Sequence, residues 1–142
     1  MGSRRSAREM AIQILYGLDI NPGPVGPAFE EHLHWRKMAD EEKEFVRDLV
    51  EGTRERLNEL DSLITDAALK WELSRMAVVD RNVLRLAAYE MTEHENTPVK
   101  VIINEAIELA KSFGGEDSSI FVNGVLDRIR VNVGRDINET AS

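Results

Sequence analysis

Apolar residues recur with helical spacing along nearly the whole chain. Ala7, Ala11, Ile14, Leu15 and Leu18 share one face of a helix that turns about 100° per residue. Asn21-Pro22-Gly23-Pro24 breaks that helix, and Gly26-Pro27 starts a short second one carrying Phe29, Leu33 and Trp35. Asp40 offers an N-cap oxygen, with Glu41 and Glu42 in the first turn, where the helix dipole favours acids. Phe45, Leu49, Val50, Leu57, Leu60 and Ile64 then predict one long helix or a bent pair ending near Trp71. Ser74 is placed to cap a short turn before "VVDRNVLRLAAYEM", a helix with Val79, Val83, Leu84, Ala87 and Met91 inward. Thr97-Pro98 opens the next helix, since proline suits a first turn and keeps its predecessor out of helix. That helix uses Val99, Ile103, Ala106, Ile107 and Ala110 and stops at Gly114-Gly115. Asp117 or Ser118 caps a last helix built on Val122, Val125, Leu126 and Ile129, and beyond Asn132 the tail is expected to fray. No stretch alternates with a strand's period of two. The expected fold is all-α: a compact bundle of about six or seven helices, with residues 1–142 forming one domain.

Composition narrows the function. The chain holds 142 residues with 18 Lys+Arg against 26 Asp+Glu, a net charge of -8 that repels polyanions overall. It has no cysteine, which excludes disulfides and thiolate chemistry and suits a reducing compartment, so the expected location is cytoplasmic. No apolar run is long enough to span a membrane. Met1-Gly2-Ser3-Arg4-Arg5-Ser6 matches the short N-myristoylation pattern, which ordinary sequence also satisfies. Residues 40–61 hold nine acids and four bases, the composition of a solvated helix face.

The sequence supports no catalytic, metal or cofactor site. His32 and His34, two apart, would point about 200° from each other on a helix and could not share a metal there. His94, between Glu93 and Glu95, reads as a solvated helix end. "GLDINPGPVG" and "FGGEDSS" lack the lysine or the spacing of a phosphate loop.

One local feature runs against the global charge. Arg4, Arg5 and Arg8 crowd the start of the acidic chain. Arg5, Arg8, Ile12 and Tyr16 form a second stripe on the first helix, displaced from its core face. Guanidinium groups grip phosphate at two points and stack on bases, and a tyrosine gives an unpaired base a platform. Three such phosphate contacts imply a salt slope of about −2 on a single strand. So short a patch favours unpaired RNA over duplex. Phe121, about 90° from the centre of its helix's apolar face, is either an edge core residue or a second stacking platform.

"RRSAREMAIQILYGLD", "VVDRNVLRLAAYEM" and "PVKVIINEAIELAKSFGGEDSSIFVNGVLDRI" occur in that order around an acidic helical middle. Over roughly residues 4–130 this resembles the NusB family of transcription antitermination factors. The resemblance implies two packed helical subdomains and no enzymatic activity. It also implies binding to single-stranded boxA RNA beside the small-subunit ribosomal protein NusE, within an RNA polymerase antitermination complex acting notably in ribosomal RNA operons. Carried onto matching positions, it assigns RNA contact to Arg4, Arg5, Arg8, Gln13, Tyr16, Asp117 and Phe121, and partner contact to Asp80. Family members can also pair as homodimers over the arginine face. Two rivals differ in class: a helical interaction scaffold that never meets RNA, and the detached targeting module of an RNA cytosine methyltransferase. The sequence to Ser142 holds no methyltransferase domain; a full-length gene ending there would exclude the latter, and a longer one would revive it.

Overall fold

The computed structural model describes residues 2–140, and side chains from Arg4 onward. The lipidation pattern begins at Met1, outside that range. Among the described residues seven α-helices follow one another: α1 Gly2–Ile20, α2 Val25–Glu31, α3 Asp40–Glu55, α4 Leu57–Ala67, α5 Val78–Glu93, α6 Val99–Gly114 and α7 Glu116–Val133. Two 3-10 turns, Trp35–Lys37 and Leu73–Arg75, lead into α3 and α5. The described residues contain no strand, so the all-α expectation holds.

Helix α5 is the hub. It packs against α1, α3, α4, α6 and α7, and every residue from Asn82 to Met91 is buried. Helices α6 and α7 form a tight antiparallel hairpin through Gly115, whose φ of 100° favours glycine. α1 lies across α3 and α5, and α4 closes the far side against α5 and α7. The N-terminal helices and the α4–α7 group share one cluster of buried apolar residues.

Several boundaries differ from the sequence reading. The acidic helix is a bent pair, broken at Arg56, and it ends at Ala67 rather than near Trp71. Ala39 and Gly115, not Asp40 and Asp117, occupy the N-cap positions, so those acids act through the helix dipole instead of a side-chain cap. Ser74 sits inside a 3-10 turn and makes no capping bond. Leu33 is 88% exposed, because α2 stops at Glu31; Trp35 is buried instead and stacks on Phe29 with centroids 4.8 Å apart.

The tail does not fray after Asn132. α7 runs on to Val133, and Gly134 turns the chain at φ 82°. Arg135 then donates through Nη1 to the Met91 carbonyl (2.7 Å) and through Nη2 to the Thr97 carbonyl (2.6 Å). Glu139, paired with Arg135, accepts the Val99 backbone N–H at 2.9 Å, satisfying a free donor at the start of α6. One arginine and one carboxylate strap the C-terminus to the α5–α6 turn.

Candidate nucleic-acid interface

The three N-terminal arginines share a helix but have three different environments. Arg4 lies at the start of α1, exposed, with its guanidinium 4.0 Å from the centroid of the Phe45 ring on α3. Arg5 makes a two-point contact with Glu105 of α6, Nη2 to Oε2 at 2.7 Å and Nε to Oε1 at 3.2 Å, while its side chain stays 57% exposed. These contacts hold the Glu105 carboxyl below its ordinary pKa and the Arg5 guanidinium above its own.

Arg8 is different. It is buried and clasps Glu90 of α5, Nε to Oε2 at 2.9 Å and Nη2 to Oε1 at 2.8 Å. The outward stripe inferred from spacing therefore fails at Arg8 and also at Ile12, which is 1% exposed. The reason is the neighbours. α5 packs on this side of α1 and Glu105 of α6 reaches it, so Glu90 and Glu105 make a buried guanidinium acceptable there. Burial pushes the Glu90 carboxyl up, but hydrogen bonds from His94 and Arg8 outweigh it and keep the group below the ordinary carboxylate value.

His94 extends this network and is not a solvated end. Its Nε2 lies 2.6 Å from Asp48 Oδ2 and its Nδ1 lies 3.5 Å from Glu90 Oε1, with the side chain 18% exposed. Glu90 raises its pKa above the ordinary histidine value, burial works against that, and Asp48 adds to the rise. Tyr89 donates to the other oxygen of Asp48 at 2.5 Å.

Further along α1, Gln13 and Tyr16 are exposed as expected. Gln13 Oε1 lies 2.6 Å from His32 Nε2, and Tyr16 borders an apolar depression with Ile12, Val79 and Phe113. His32 and His34 are not on a common helix, since the chain leaves α2 at His32; their rings come within 5.8 Å of each other. No group of three or more metal-ligating side chains is assembled among the described residues.

The α6–α7 corner gathers the remaining candidates. Phe121 is half-buried, edge-on to Trp71 with centroids 5.7 Å apart at 74°, and Asp117 is exposed in the first turn of α7. Both line a depression with Asp80, which is 8% exposed and has a buried Oδ1 without a partner among the described residues. Sequence reasoning separated Asp80 from Asp117 and Phe121; the fold places them around one hollow. It missed Trp71, Phe45 and Glu90. Glu90 alone left a trace in the sequence, as a carboxylate set inside the apolar run of "LAAYEM".

No helix of the described residues is long and apolar enough to cross a membrane. Comparison with known proteins gives a consistent outcome. The model of the NusB family matches residues 5–130. The transcription antitermination protein NusB of Myxococcus xanthus is 44% identical over 137 residues, covering 92% of this chain and 96% of that protein. A solved T. maritima NusB is 38% identical, with a TM-score of 0.83 over 98% of this chain and 93% of the other. A solved complex of the antitermination factors NusB and NusE with double-stranded RNA matches at 27% identity and a TM-score of 0.84, over 93% of this chain and 98% of that one. On the extent of the family match and these identities, the chain belongs to the NusB family.

Proposed function

We infer that this protein is a transcription antitermination factor that binds RNA together with a NusE-type ribosomal protein and is not an enzyme. The observation that carries this is its likeness, over 93% of the chain, to a NusB solved with NusE and RNA. The finer reading is an unpaired boxA-type element, notably in ribosomal RNA transcripts of a bacterial cytoplasm, delivered to RNA polymerase. Arg4 and Arg5 keep exposed guanidinium groups for phosphate, while Arg8 fixes α1 from beneath. Tyr16 and Phe121 offer rings to bases, Gln13 offers an amide, and Asp117 discourages phosphate at the far edge. Asp80, which lines that hollow, suits a basic side chain of the ribosomal partner. A second copy of the chain over the same face would compete with RNA.

The test is fluorescence anisotropy of labelled single-stranded and duplex RNAs at two salt concentrations, with and without the ribosomal partner. Arg4→Ala/Arg5→Ala is expected to flatten the salt slope by about 1.4 on a single strand. The partner is expected to strengthen binding. Unchanged binding in the double variant moves the site elsewhere. Absence of binding by a folded chain under every condition leaves the scaffold reading.

A further inference from the structure

One depression of the described surface enters that account only through Gln13 on its wall. It has a volume of about 460 Å³ and lies between α1, the segment after α2, and the first turn of α3. This volume falls in the range of small-ligand sites, roughly 300–1,000 Å³. Gln13 and Glu9 of α1, His32 and His34 after α2, and Glu42 of α3 line it, over a thioether from Met10. Its rim connects to both exposed arginines. Glu9 also lines the depression that holds Arg5, and Glu42 the one that holds Arg4.

We propose that this depression receives one unstacked purine base of the RNA strand whose phosphates Arg4 and Arg5 grip. The inference rests on the RNA reading above and adds to it a base-recognition site. The polar groups indicate a base rather than a phosphate: Glu9 and Glu42 outnumber the single cation of the lining, Lys37, and accept hydrogen bonds from a base's amino group. The amide is pre-set. The His34 backbone N–H donates to His32 Nδ1 at 3.4 Å, so the neutral ring carries its proton on Nε2 and donates it to Gln13 Oε1 at 2.6 Å. With its oxygen so held, Gln13 presents its NH2 donor away from His32, toward an acceptor such as a ring nitrogen. The two imidazoles supply flat faces and Met10 a polarisable floor for the ring. Phosphate outside on arginine and base inside against the histidines orients the strand across α1.

The experiment walks a single 2-aminopurine through single-stranded RNAs of about twelve nucleotides, a length within known single-strand site sizes. Total binding is followed by anisotropy and the environment of the probe base by its own fluorescence. For wild type, one position is expected to change its emission on binding. Gln13→Ala and His34→Ala, checked for unchanged helical circular dichroism, are expected to abolish that change. They should weaken binding roughly fivefold or more, the loss of one stacked base, with the salt slope kept. RNA binding in which no position responds, or whose response survives both variants, overturns the pocket and leaves the RNA reading intact. No RNA binding by wild type overturns both.

Discussion

Arg8 and Glu90 face each other through two parallel hydrogen bonds, 2.9 and 2.8 Å long, with side chains only 5% and 3% exposed. Each charge tolerates burial because the other is there. Removing one leaves the other with only a longer contact, Glu90 with His94 or Arg8 with Glu105, in a dry site; breaking a buried pair costs about 3–5 kcal/mol, whereas replacing both by apolar groups is often close to neutral. Arg8→Met is therefore expected to lower unfolding free energy in urea by about that amount. Arg8→Met/Glu90→Leu is expected to recover most of it. A double variant as unstable as the single one would contradict this account.

The same network sets the pH dependence. Glu90 titrates below its ordinary value in the folded chain, so its contribution is present above that value and lost as pH falls through the folded pKa. His94 titrates above 6.5, so its contribution is complete below 6.5 and lost as pH rises through the folded pKa. Raising the pH from about 6 toward 8 should lower Tm in wild type, and His94→Gln should flatten that fall. Thermal melts across that window read it directly.

The C-terminal strap predicts a stability effect where a frayed tail would give none. Arg135→Ala removes donors to the Met91 and Thr97 carbonyls and frees Glu139 from its partner. Hydrogen bonds to a charged group contribute about 1.5–3 kcal/mol, so a loss of about 2 kcal/mol is expected in urea melts. Hydrogen exchange should quicken first at the Val99 amide, whose acceptor is Glu139.

Gly52 on α3 is required by a neighbour and not by its backbone angles. A Cβ there would sit 2.2 Å from Cζ and 2.4 Å from Cε1 of the buried Tyr89 ring. Gly52→Ala is expected to destabilise by about 1–3 kcal/mol. Adding Tyr89→Phe should not relieve it, because the clash lies with ring carbons as well as the hydroxyl. Circular dichroism melts of the three variants decide.

The sequence made the helices legible because one property, apolar spacing, decides which residues enter a helical core. Proline and glycine pairs marked the breaks after α1 and α6 for the same local reason. What stayed hidden was set by distant partners. Arg8 read as a surface group until Glu90, 82 positions later, supplied its counter-ion. His94 read as solvated because Asp48, 46 positions away, cannot be inferred from local spacing. The tail lost periodicity after Asn132, yet polar groups strap it without any periodic pattern. Among site candidates, exposure came out as expected for Arg4, Arg5, Gln13, Tyr16 and Asp117, where helix phase alone decides it. The meeting of Asp80 with Asp117 and Phe121 needed the packing of α5 on α7.

The clasp beneath α1 has a kinetic consequence. Arg8 sits one turn below Arg4, so the helix that carries the exposed arginines cannot slide or roll without breaking a two-point contact in a dry site. The guanidinium groups are thus set at fixed spacing before any polyanion arrives, and little ordering remains for the encounter itself. Association should then be governed by collision and long-range attraction to one corner of a repellent molecule. Discrimination between nucleotide sequences should fall on how long each complex survives.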